Sequence, residues 1–143
     1  MNIKYFYFID EFDKNEIEKL SSQISIIYRN YNKKNDSKEL KELVIYCKNN
    51  RRKVYISNNL KDAIKYNFDG LYIPSFHKQL RYQNIIKRNL EIIGSAHNAI
   101  ELKIKEKQGC SQIFLSPIFE NNKNKKFLDI IKTNLLKKLT KKQ

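Results

Sequence analysis

The 143-residue chain reads as an α/β protein built on a parallel sheet. Two observations predict this. Short apolar runs without alternation recur along the chain, the form taken by a strand buried on both faces. Stretches with apolar residues at helical spacing lie between them, so strand and helix alternate; this argues for parallel pairing and right-handed crossovers. The repeat is clearest in residues 90–119, where the runs 91–94 and 112–115 flank a helical stretch, 98–107, ended by Gly109. Each run stops in small polar residues, Ser95-Ala96-His97-Asn98 and Ser116-Pro117. Asn98 suits the cap of the helix that follows. In α/β folds the carboxyl ends of the strands carry the chemistry.

The elements follow in order. Residues 3–9 are aromatic and β-branched and end at Asp10, a strand. Residues 14–23 have helical spacing, with Ile17, Leu20 and Ser21 on one side, and residues 24–29 form a second strand. Residues 37–49 are a helix capped by Ser37, with Leu40, Leu43, Val44 and Cys47 as its apolar stripe. Residues 53–57 are a third strand, 60–66 a short helix with Asn67 as its C-terminal cap, and 70–73 a fourth strand stopped by Pro74. A loop at 75–82 and a short helix at 83–89 lead to the strands at 91–94 and 112–115, and residues 126–139 form a last helix. This makes six strand–helix units of about 20–28 residues each, in one domain over residues 1–143 with no low-complexity linker. Two architectures fit, an open doubly wound sheet or part of an eight-stranded barrel. Gly70, Gly94 and Gly109 are the three glycines, and neither G-x-G-x-x-G nor a P-loop is present, which disfavours a nucleotide-binding open sheet.

Composition narrows the function classes. An apolar content of 41% supports a real core. No run approaches the roughly 18 apolar residues of a membrane span, so no membrane partner is expected. Asp10 and Glu11 come too early for a signal peptide. Cys47 and Cys110 are isolated thiols without metal-type spacing, expected reduced in a cytoplasmic protein. The formal charge of +14 invites a nucleic-acid partner. However, the basic residues are spread over many helices, and Lys, Asn, Ile, Phe and Tyr all have AT-rich codons. Nucleotide bias therefore explains the charge, and a nucleic-acid partner is not expected. The one local run, Lys137-Lys138-Leu139-Thr140-Lys141-Lys142, reads as solvated helix-end lysines.

The strand ends carry a resemblance. Tyr28-Arg29, Tyr55-Ile56-Ser57-Asn58, Phe68-Asp69-Gly70-Leu71-Tyr72, Gly94-Ser95-Ala96-His97 with the following Glu101, and Ser116-Pro117-Ile118-Phe119 resemble in order and spacing the thiamine-phosphate synthase/TenI family. The resemblance covers nearly the whole chain and about three quarters of the family's length. It implies a TIM-barrel type (βα) repeat with about six of eight units present. The chain stops at Gln143 after its sixth helix, so the expectation is a truncated barrel without strands seven and eight or the family's G-G-I element. Open sheet edges then make self-association possible.

The resemblance implies a synthase that joins a hydroxymethylpyrimidine diphosphate to a thiazole phosphate and releases pyrophosphate with Mg²⁺ help. Phosphorylated pyrimidine and thiazole molecules are its partners. Arg29 matches the arginine of the family's Q-x-R-x-K strand end, whose glutamine and lysine are Ile27 and Tyr31 here. The family's two Mg²⁺ carboxylates fall on Asn58 and His77. Ser95 matches a hydroxyl on pyrophosphate, one residue being missing between Gly94 and Ser95, and Ser116 stands at the next strand end. With one residue of slack, Asn122 and Lys125 fall on the family's phosphate-binding T-x-T-K loop. His97 matches the acid–base histidine of the TenI branch, which tautomerises a thiazole carboxylate phosphate. The alternatives are therefore a tautomerase using His97, or an inactive partial barrel that binds a phosphorylated metabolite.

Plainer roles compete at each position. A charge such as Arg29 inside a barrel mouth needs an anion or a carboxylate partner. His97 also fits a helix-entry histidine bonded to backbone, Ser95 and Ser116 fit strand ends, and His77 fits a solvated loop side chain. Tyr5, Phe6, Tyr7 and Phe8 read as strand and core.

Overall fold

A computed structural model describes residues 4–32, 34–80, 82 and 89–115. Along them run β1 (Tyr5–Ile9), α1 (Lys14–Glu18), β2 (Ile24–Tyr28), α2 (Ser37–Asn49), β3 (Val54–Ser57), α3 (Leu60–Lys65), β4 (Gly70–Ile73), β5 (Glu91–Ala96), α4 (Ala99–Lys107) and β6 (Gln112–Leu115). The α/β class is as expected: strand and helix alternate through parallel pairs, the repeat of a partial TIM barrel. The chain divides into two compact units, Met1–Tyr72 and Ile73–Gln143.

In the first unit β1 pairs with β2, β2 with β3 and β3 with β4, all parallel. Strand alternation gives the sheet two chemically different faces. Tyr28 reaches Glu39 of α2 with its hydroxyl, so Tyr28, and with it Ile26, faces the helices. Val54, Ile56 and Leu71 share that face by register, and they are buried together with Ile17, Leu40, Leu43, Val44, Cys47 and Ala63 of the helices. The opposite face carries Phe6, Phe8, Ile27, Arg29, Tyr55, Ser57 and Tyr72, following the same register.

Three expectations are corrected here. The first helix ends at Glu18, not at residue 23. The carbonyls of Leu20, Ser21 and Ile24 instead accept from the buried Arg52 guanidinium, at 3.3, 2.8 and 2.6 Å. A distant side chain thus takes the place of the next helical turn. The cap of α2 is Asp36, not Ser37: Asp36 is extended (φ −86°, ψ 120°) and its carboxylate accepts from the Lys38 N–H at 2.9 Å. A carboxylate there also meets the positive end of the helix dipole. α3 ends at Lys65 with Tyr66, not Asn67, as its C-cap, and Asn67 follows in the left-handed region at φ 59°.

In the second unit β5 pairs with β6 in parallel. β5 runs two residues beyond the expected 91–94, because Ser95 and Ala96 pair with Phe114 and Leu115. Asn98 caps α4 as expected, and Gly109, at φ 87°, follows that helix. Gly94 is required by crowding. A Cβ there would lie 2.8 Å from Lys105 Cδ and 3.0 Å from both Cys110 Sγ and the Ile73 carbonyl. Lys105 is fully buried; its ammonium donates to the His77 carbonyl (2.8 Å) and to Gln108 Oε1 (2.9 Å). Gln108 Nε2 holds the same segment through the carbonyls of His77 and Gln79, each at 2.9 Å. The loop after β4 is therefore tied to α4 by two buried polar side chains. The expected helix at 126–139, the lysine run at 137–142, the strand end at 116–119 and nearly all of the helix at 83–89 lie outside the described residues.

Candidate functional site

The first unit brings an aromatic and cationic surface to the carboxyl ends of its strands. Phe6 meets Tyr55 edge-on (ring centroids 5.7 Å apart), and Phe8 meets Tyr72 edge-on (5.2 Å). Arg29, one residue past β2, keeps its backbone in the ladder by donating to the Ile9 carbonyl at 2.8 Å. Its guanidinium centre lies 4.3 Å over the Phe8 ring and 5.6 Å from the Tyr31 ring. Stacking on rings satisfies the faces of a guanidinium and leaves its N–H edges for a planar acceptor. Among the described residues no carboxylate pairs with it.

Asn58 follows β3 in the left-handed region, φ 52°, and its N–H donates to the Tyr72 carbonyl at 2.8 Å. Its side chain is exposed. The neighbouring Ser57 was not singled out from the sequence. Its Oγ is buried and has no hydrogen-bond partner among the described residues, and it shares the face of Arg29 and Tyr72. A buried hydroxyl without a partner loses about 1–3 kcal/mol of solvation, so a ligand oxygen beside it is favoured. Strand alternation from Tyr55 was the signal that could have found it.

The second unit holds Ser95 and His97. Ser95 is buried within β5 and points away from Gly94, whose vacant side-chain position faces Lys105. His97 is exposed at the end of β5. Its amide N–H donates to Glu101 Oε2 at 2.7 Å, and its ring Nδ1 lies 3.6 Å from the same oxygen. His77 is not a free solvated side chain: it is half-buried, and its Nε2 lies 2.7 Å from the Tyr82 hydroxyl. Ser116, Asn122 and Lys125 lie outside the described residues.

The described side chains do not fit the implied Mg²⁺ site. That ion takes carboxylate and water oxygens in an octahedron. Asn58 offers an amide, His77 an imidazole engaged with Tyr82, and among the described residues no three His, Cys, Asp or Glu side chains gather for a metal. Both thiols are held protonated: burial pushes Cys47 and Cys110 up to about 12, and neither is poised as a nucleophile.

Fold and strand-end chemistry define a parallel (βα) protein of barrel type. Among solved structures, the chain is similar to thiamine phosphate pyrophosphorylase from Pyrococcus furiosus, with a TM-score of 0.65 at 14% identity, over 93% of this chain and 69% of that one. No family model matches the chain. No curated protein matches it. At this identity the likeness establishes a shared fold.

Proposed function

We propose that this chain is a thiamine-phosphate synthase-like protein, joining a hydroxymethylpyrimidine diphosphate to a thiazole phosphate with release of pyrophosphate. The observation that carries the reading is the Arg29 guanidinium, shelved on Phe8 with no carboxylate partner among the described residues. Its N–H edges take the leaving pyrophosphate bidentately, where negative charge develops as the C–O bond breaks. The Ser57 hydroxyl, on the same sheet face, adds a donor, and the aromatic face accepts the planar pyrimidine. The shared fold supports the reading. The protein acts in the cytoplasm on small phosphorylated molecules, with no nucleic-acid partner.

The test mixes both precursors with Mg²⁺ and follows pyrophosphate release. The parent protein is expected to release it, and Arg29→Ala to be slower by roughly 10²–10³-fold, as for loss of one donor to a developing anion. No release above background sinks the synthase. Inorganic pyrophosphate bound equally well by parent and Arg29→Ala removes Arg29 from the site. If the parent binds pyrophosphate without turnover, the chain is an inactive barrel that binds phosphorylated metabolites.

A second reading rests on His97. Its contact with Glu101 gives the pairing of an imidazole with a carboxylate that acid–base chemistry uses. In this reading the chain tautomerises a thiazole carboxylate phosphate.

A further inference from the structure

The Glu101 carboxylate is held at both ends of its residue. Its backbone N–H donates to Asn98 Oδ1 at 2.9 Å, the first half of a helix capping box. In the ordinary box the glutamate returns to the N–H of the capping residue itself. Here Glu101 Oε2 bonds the N–H of the residue before the cap, His97, at 2.7 Å. That displacement brings the same oxygen to 3.6 Å from His97 Nδ1. The two side chains also differ in access: Glu101 is 17% exposed and His97 47%. The carboxylate is sheltered against the helix start, and the imidazole projects from it.

We propose that Glu101 is a positioning residue for His97: its carboxylate holds Nδ1 toward the protein and turns Nε2 outward as the acid–base atom. This deepens the tautomerase reading of His97 and rests on it. Which ring nitrogen carries the proton is set by what the other one faces. An acceptor-only carboxylate beside Nδ1 keeps the proton there and leaves the Nε2 lone pair free. In the reaction Nε2 takes a proton from a carbon next to the C=N bond of the thiazole ring, breaking C–H and forming N–H. The electron pair shifts through the C=N bond along the conjugated system, and the same N–H returns its proton at the far end of that system. While the ring is cationic, its Nδ1–H faces Glu101. The 3.6 Å contact shortens to a hydrogen bond at that stage, as catalytic contacts in free enzymes commonly do.

The experiment compares the full chain with Glu101→Gln. Glutamine keeps an oxygen for the His97 amide, so the helix start survives, but it offers Nδ1 a donor as well. Two readouts are taken, the ¹⁵N shifts of the neutral His97 ring and the turnover of the thiazole carboxylate phosphate. The expected result is a parent ring protonated at Nδ1, a shift toward the Nε2–H form in Glu101→Gln, and a fall in kcat of roughly 10–100-fold with KM little changed. Equal tautomer populations in the two proteins, with turnover retained, overturn the role of Glu101 alone. Absence of turnover by the parent overturns the tautomerase reading and the positioning role with it. Asn98→Ala separates capping from positioning: a kcat loss as large as that of Glu101→Gln, with unchanged ring shifts, assigns the effect to the helix start and overturns the proposal.

Discussion

Burial sets the behaviour of single residues more than their type does. Cys47 lies on the buried stripe of α2 with no exposed surface, and burial pushes its thiol from 9.0 up to about 12, against a smaller lowering by the Arg52 charge. The unfolded thiol therefore ionises first as pH rises. The stability that this thiol contributes is complete below pH 9.0 and is lost on the way to about pH 12. The slope is about 1.4 kcal/mol per pH unit for each such group. Denaturant titrations on either side of pH 9.0 check this. Cys47→Ala is expected to lose about 1 kcal/mol at neutral pH through the cavity, yet to fall off less steeply than the parent above pH 9.0. An equal slope in both proteins would show that Cys47 does not set the alkaline limit. The thiol's burial was legible from its place in the apolar stripe. That of Lys105 was not. Lysine is almost never fully buried unless paired, and its partners, the His77 carbonyl and Gln108, are distant or unremarkable in sequence. Burial lowers its pKa, and the nearby Cys110 and Glu101 offset part of that effect. The one trace in sequence is Gly94, small because the lysine stem passes under it.

At the scale of elements, local chemistry was readable wherever local forces decide. α2 occupies the expected span because its apolar stripe repeats at helical spacing, and Asn98 sits where a cap belongs. α1 was overextended because its end is decided by Arg52, more than thirty residues away in sequence, which no local window contains. β5 was cut short because Ser95 and Ala96 are poor strand formers that the ladder to β6 recruits. The two ends of α2 give opposite mutational signs. Asp36→Ala removes the carboxylate that caps the Lys38 N–H and is expected to cost about 1 kcal/mol. Arg51, just past the helix, stands at φ 54°, where a side chain is strained. Arg51→Gly is expected to stabilise the protein by about 0.5–1 kcal/mol, because glycine takes that conformation without penalty. Urea midpoints of the two variants check both. Shifts in the same direction would mean that α2 is set by packing alone.

At the scale of the molecule, the parallel strand–helix repeat was legible because strands buried on both faces leave unbroken apolar runs. The candidate site was legible only in part. Arg29 stands out as a charge at an apolar strand end, and Tyr31 lies near it in the chain, but its closer shelf, Phe8, follows from register, which pairs Phe8 with Ile27. One consequence concerns assembly. Among the described strands β1 borders only β2, and Tyr5 on it is 54% exposed, with Tyr7 and Phe8 partly so. A strand at the border of a sheet is a surface on which a second copy can pair, and the exposed rings of Tyr5 and Tyr7 add apolar area to it. The net charge of +14 opposes that contact, since like-charged copies repel. Salt decides between the two. The screening length falls from about 30 Å at 0.01 M to about 3 Å at 1 M ionic strength. That weakens the repulsion and leaves strand pairing and apolar burial almost untouched. The protein is expected to sediment as a monomer at low salt and to associate as salt rises. Tyr5→Lys, which places a charge on the edge itself, is expected to move the onset of association to higher salt. Association that weakens with salt would mean that charge pairs hold the copies together, and a monomer throughout would mean that the β1 edge is covered.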